Sequence, residues 1–329
     1  MRQMWKMITF GDGSRGHRAA AKRLEDQANK GQAFDKVERF DARILQRRYP
    51  DFFREHDGFL KSNTRGFGYW IWKPFIILQA LEELPENWSL AYIDAGCVLN
   101  LNTVSRRRLQ DYKDHASTNS VWCTELTTSP SHDYRNKTWC KGDALSFLKA
   151  DEVIKGSNMV QAGMIMFSNN QISRELVKDW YLSTISEGYR LVDDSESITP
   201  NSSSFIEHRH DQALFSVLFR QRNLRAIADE TSFPNAWTTD GASYPIWASR
   251  WTFLTPFFAQ RPRGFLVRIE GLLRMGPGKI IRETKRRLVF FTSNNSKFLR
   301  FRVWFSPVDT PRGPRRGRPI PGNEEISSS

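Results

Sequence analysis

The sequence predicts an α/β domain over residues 1–250, built on a mostly parallel central sheet flanked by helices. Two observations predict it: an opening β-α-β pattern, and apolar strands alternating with helical stretches at short spacing. Lys6 to Phe10 is a short apolar strand, Gly11 to Gly16 a glycine-rich turn, and His17 to about Lys30 a helix. Phe34 to Phe40 is the second strand, ending on Asp41. Residues 43–64 form short helices. Lys73 to Leu84 is a helix with Pro74 in its first turn and Pro85 closing it. Ser89 to Asp94 is a buried strand ending on an acid, followed by a helix from Val104 to His115 and an extended piece from Ser120 to Thr124. Gly142 to Ala150 is a short helix and Gln161 to Phe167 a buried strand. Ile172, Leu176 and Trp180 mark the apolar stripe of a helix running to Ser186. A polar loop over Asp193 to Ser204, a helix from Asp211 to Arg220 and a last strand from Leu224 to Ala228 complete the pattern.

At 329 residues, 39% apolar with 11 tryptophans, the chain can bury a large core. No run of about 18 apolar residues is present to span a membrane. Met1 to Lys6 shows no secretory pattern, and Cys97, Cys123 and Cys140 form no pairing framework, which points to a cytoplasmic protein. The net charge of +13 is unevenly placed. Residues 250–329 hold 17 Lys and Arg against 5 Asp and Glu, and the rest of the chain holds 32 against 31. The body is nearly neutral, which argues against nucleic acid as its partner. Residues 251–306 form a basic amphipathic extension, suited to an anionic membrane surface on the inner face. Residues 307–329, rich in Pro, Gly, Arg and Ser, form a disordered tail.

Three segments carry the chemistry. Gly11, Gly13 and Gly16 match G-x-G-x-x-G between strand and helix, with Asp41 ending the next strand. The match admits a dinucleotide site for an NAD(P)-dependent oxidoreductase, a loop at Phe10 and Gly11 that holds a sugar nucleotide, or a structural turn. Asp94, at the end of its strand, stands where open α/β sheets bind ligands. It either holds a divalent ion against a diphosphate or caps the next turn, and Gly96 allows close approach. In the run Arg65 to Pro74, Arg65 and Lys73 suit phosphate oxygens, and Tyr69, Trp70 and Trp72 suit stacking on a base or packing in a core.

Arg65-Gly-Phe-Gly-Tyr-Trp-Ile-Trp-Lys-Pro74, then Tyr92-Ile-Asp-Ala-Gly-Cys97, resembles a group of bacterial glycosyltransferase-like proteins related to the GT-A nucleotide-diphospho-sugar transferases of surface-polysaccharide synthesis. Trp139 to Asp143, Gln161 to Phe167 and His208 to Gln212 continue the resemblance, which covers roughly residues 6–250. It implies a GT-A-like fold, a nucleoside diphosphate sugar donor and a saccharide or lipid-linked acceptor. The donor-facing set is then Phe10, Gly11, Arg65, Tyr69, Trp72, Lys73, Gly96 and Gln161, with Asp94, Asp211 and Asp143 as catalytic candidates. A Mn²⁺ or Mg²⁺ ion on Asp94 and His210 is implied as cofactor, although Asp94-Ala-Gly96 lacks the second acid of D-x-D. The histidines at 208 and 210 also fit a simple capped helix. The missing acid keeps open a sugar-nucleotide-binding protein without catalysis.

Overall fold

Among the described residues there are nine strands: β1 Met4–Phe10, β2 Lys36–Phe40, β3 Trp88–Ile93, β4 Val98–Leu99, β5 Val121–Trp122, β6 Thr124–Glu125, β7 Met164–Ser168, β8 Ile227–Ala228 and β9 Ile246–Trp247. The computed structural model describes residues 2–233 and 236–250. The basic extension and the tail expected over 251–329 lie outside the described residues.

Five strands form the central sheet in the order β2-β1-β3-β7-β5. β1 pairs parallel to both β2 and β3, while β7 is antiparallel to β3 and to β5. Four of the five strands therefore run one way, and the α/β class with a mostly parallel sheet is what the sequence predicts. From Trp5 onward β1 is buried on both faces, as a central parallel strand must be. One face, with Met7, Ala91, Ile93, Trp122 and Met166, packs under helices Arg15–Gly31 and Thr103–Asn119 through Leu24, Ala28, Leu109 and Tyr112. The other, with Ile8, Phe10, Leu90, Tyr92 and Phe167, packs against Trp72–Glu82, Gln171–Ile185 and His210–Gln221 through Ile76, Ile77, Leu176, Trp180 and Phe215.

The caps are local. Ser14, Asn102 and Asn170 each accept a hydrogen bond from a backbone N–H in the first turn of the helix they precede. Asp41 does the same for helix Ala42–Arg48, accepting from Ile44 N at 2.9 Å. The second strand begins at Lys36 rather than Phe34. The strand expected from Gln161 begins at Met164, and the last predicted strand shortens to β8. Cys97, Cys123 and Cys140 are free and buried. Among the described residues no helix is long and apolar enough to cross a membrane.

The chain leaves β1 through helix Arg15–Gly31 on one face to reach β2. It then returns under the opposite face to β3, on the far side of β1. The strand order reverses between β1 and β3. In open α/β sheets the crevice beyond the carboxyl ends at such a reversal is where ligands bind. Gly11, just past the end of β1, and Asp94, just past the end of β3, border it.

Candidate functional site

Side chains alternate along β3. Leu90 and Tyr92 face the helix Trp72–Glu82, and Asp94, continuing that alternation past the strand end, meets Lys73 from its first turn. Lys73 Nζ lies 2.8 Å from Asp211 Oδ2 and 3.7 Å from Asp94 Oδ1, and it donates to Ala162 O at 3.4 Å. Tyr92 Oη donates to Asp94 Oδ1 at 2.5 Å. The lysine is 5% exposed and Asp211 6%, but Asp94 is 42% exposed. The centre is thus a buried ion pair behind one accessible carboxylate. Asp94 Oδ1 is taken by Tyr92 and faces Lys73, so Oδ2 is the oxygen left for a ligand. Gly163 keeps it clear: a Cβ there would sit 2.8 Å from Oδ2.

Burial pushes the Asp211 carboxyl up to about 6; Lys73 opposes the rise and Asp94 adds to it. Burial lowers the Lys73 pKa, but Asp211 and then Asp94 outweigh it, and the ammonium stays charged. Lys73, expected at the diphosphate, is instead the internal counter-ion of two carboxylates.

The run from Gly66 to Trp70 is a left-handed turn. Its five consecutive φ angles are 58°, 53°, 78°, 50° and 63°. Tyr69 N donates to Arg65 O at 2.8 Å and Trp70 N to Gly66 O at 3.2 Å. The turn sends Trp72 inward, where its Nε1 donates to Gly66 O at 2.9 Å and its ring stacks on Phe10 at 3.8 Å. Phe10 and Trp72 are therefore core side chains and do not line the crevice. Tyr69, also buried, donates through Oη to Asp194 Oδ2 at 3.0 Å, and Arg65 reaches the same carboxylate at 3.0 Å. Trp70 remains half-buried.

His210, with φ 49°, rests against Tyr69 and Trp70 at 4.9 and 5.5 Å. Its Nδ1 donates to Val192 O at 2.8 Å, and its Nε2 faces Asp194 Oδ1 at 3.7 Å. Burial lowers its pKa to about 4, so it is a neutral ring. The carboxylate it meets is Asp194, not Asp94. The residues do not fit the divalent ion that D-x-D transferases hold. An ammonium faces Asp94 Oδ1, Gly96 supplies no second acid, and His210 is turned elsewhere. Among the described residues no group of three His, Cys, Asp or Glu side chains is arranged to hold a metal ion.

Asp143 makes its contacts away from this centre, accepting from Thr199 N at 2.7 Å, Ile198 N at 3.0 Å and Arg190 at 3.1 Å. It anchors the loop over 193–204, as does Lys141, whose Nζ donates to Asp193 Oδ1 at 3.0 Å. His208 Nε2 donates to Leu191 O at 2.9 Å. Gln161 is half-buried, its backbone N donating to Thr124 O at 2.8 Å.

Gly11, the first glycine of the Gly11–Gly16 turn, is held by packing. A Cβ on Gly11 would lie 2.5 Å from both Ala21 Cβ and His17 O, so the glycine serves strand–helix packing. Asp12 fills the turn, accepting from Gly13 N, Ala42 N and Arg18 at 2.6, 2.7 and 2.8 Å.

Tyr92, which donates to Asp94, and Asp194, which accepts from Tyr69 and Arg65, are not among the site residues expected from the sequence.

No protein-family model matches the chain, and no characterised protein matches it in sequence. Solved structures resemble it at low identity. One is a glycosyltransferase involved in the glycosylation of the major capsid of PBCV-1 (9% identity, TM-score 0.42, covering 74% of this chain and 92% of that one). Others are mouse xyloside xylosyltransferase 1 (8%, 0.38, 70% and 87%) and the galactosyltransferase LgtC (13%, 0.36, 70% and 75%). Likenesses at this level assign neither a family nor an activity.

Proposed function

We propose that the chain is a glycosyltransferase of GT-A type, moving a sugar from a nucleoside diphosphate donor to a hydroxyl of a surface glycan or glycolipid. The observation that carries this is Asp94, an accessible carboxylate held at the strand-order reversal by Tyr92 and by the buried Lys73–Asp211 pair. A single free oxygen on a rigid strand end suits a sugar hydroxyl. In the proposed reaction the acceptor oxygen forms the new glycosidic bond and the donor's bond to the diphosphate breaks. The acceptor proton passes to Asp94 Oδ2. Lys73, itself paired with Asp211, orients Asp94 from 3.7 Å. Trp70 and Gln161, both half-buried, offer contacts to the donor's base or sugar. The basic segment over 251–306 is proposed to hold the enzyme at an anionic membrane surface, beside a lipid-linked acceptor.

The test is a panel of nucleoside diphosphate sugars scored for hydrolysis and transfer. Asp94→Ala is expected to reduce turnover by about 10²–10⁴-fold, the usual contribution of a positioned acid–base group. Turnover of a responsive donor at the wild-type rate in that variant would defeat the assignment.

A further inference from the structure

Resting on the transferase reading, we infer that the donor's diphosphate is held by the guanidinium groups of Arg209 and Arg250, and that transfer proceeds without a divalent cation.

Both arginines are placed by the centre itself. Arg209 lies two residues before Asp211, at the start of the helix that delivers Asp211 to Lys73. Its backbone N donates to Trp139 O at 2.9 Å, and its guanidinium lies over the Trp139 ring at 4.3 Å. Arg250 is placed from the Asp94 side. The buried Ser249 donates to Gly96 O at 3.2 Å, two residues past Asp94, and Arg250 leaves that anchor exposed, with φ 52°.

Their electrostatics agree. The Arg209 pKa is lowered by burial first, with Glu207 opposing, and then by the charges of Arg250 and Arg65. The charges of Arg250 and Arg65 thus both reach the Arg209 guanidinium. Arg209 has Glu207 at 2.9 Å and Arg65 has Asp194 at 3.0 Å, while Arg250 forms no ion pair among the described residues. Like charges converging at a ligand crevice lower the local cost of bringing in a polyanion. Guanidinium forks pair with phosphate oxygens bidentately.

The same geometry opposes a metal. Lys73 and Asp211 neutralise each other, and an ion on Asp94 would stand beside a fixed ammonium that is itself 3.7 Å from Oδ1. The arginines, by contrast, can meet the diphosphate without a bridging ion.

The experiment is calorimetric titration of the full chain with UDP, GDP, pyrophosphate and uridine, in excess EDTA and again with Mn²⁺. At least one nucleoside diphosphate is expected to bind in EDTA, with affinity changed less than about threefold by Mn²⁺. Arg209→Gln and Arg250→Gln should each weaken that binding by at least ~10-fold, the loss of a charge-assisted contact, while any uridine binding is unmoved. Arg209→Lys, which keeps charge without the fork, should fall between. Should Arg209→Gln fail to fold, the exposed Arg250→Gln carries the test. Diphosphate binding that requires Mn²⁺, or that ignores both substitutions, overturns the inference and leaves the transferase reading standing. Pyrophosphate bound as tightly as the best nucleotide would show a plain anion site and also overturns it. If no nucleoside diphosphate binds under either condition, both readings fall.

Discussion

Asp211 shows how one residue's surroundings set its work. A carboxylate 6% exposed is costly to ionise, and Lys73 at 2.8 Å repays part of that cost. Its folded pKa, pushed up to about 6, lies above the ordinary value of 3.8. For a group raised on folding, the contribution to stability is full below the unfolded pKa and is lost as pH rises through the folded one. The native state is thus favoured by protonation of Asp211 in the window from about 4 to 6, while the ionised form that pairs Lys73 dominates above it. Asp94 contributes to the rise, so Asp94→Asn should bring the Asp211 titration below 6, read by NMR of labelled carboxyl carbons. A midpoint that stays put would show that the two acids are uncoupled. Asp94 itself was legible from its strand, because a buried run ending on an acid is a local pattern. Its partners were not, since Lys73 and Asp211 lie 21 residues before it and 117 after it.

Among elements, the turn Gly66–Trp70 carries a conformational cost. Left-handed backbone costs roughly 1–2 kcal/mol for each non-glycine residue, and Phe67, Tyr69 and Trp70 all adopt it. Packing compensates: Trp72 seals against Phe10, and Tyr69 closes on Asp194 and His210. Gly66 and Gly68 relieve the two positions where a side chain would collide as well as strain. At Gly68 a Cβ would stand 2.5 Å from Leu60 Cδ2, at φ 78°. Gly68→Ala should therefore destabilise the chain by about 2–4 kcal/mol, combining backbone strain and overpacking, as measured by urea unfolding. A loss below ~0.5 kcal/mol would mean that the turn is not held in this form. The two glycines spaced among aromatics were the visible signal. The handedness was not visible, because it depends on what Trp72 and Tyr69 pack against. A second left-handed run, Glu187 to Tyr189, presents Tyr189 to Phe59 at 3.9 Å and to His56 at 2.8 Å. Helices Pro50–Ser62 and Gln171–Ile185 are joined by that aromatic seam.

For the whole molecule, charge separates two parts of the chain. The near-neutral body buries its titrating centre, while 17 of the 49 basic residues fall in 250–329. If that segment is the membrane attachment proposed above, flotation with vesicles containing anionic lipid should be lost on removing residues 252–329. It should also weaken steeply as salt screens the basic charge. Flotation unchanged by the deletion would place the attachment on the body or abolish the idea.

What the sequence determined by itself was whatever repeats locally: the strand and helix periods, the class of the sheet, and the acid at the end of β3. Asp41 ends the second strand in either view, but only the fold shows it capping the next helix. Tertiary structure decided which polar groups face one another. It buried Lys73 between two carboxylates, turned His210 to Asp194, withdrew Asp143 into a loop anchor and filled the glycine turn with Asp12. The physical reason is the same each time. Hydrogen bonds and ion pairs between elements distant in sequence depend on register and packing, which residue type and local spacing do not encode.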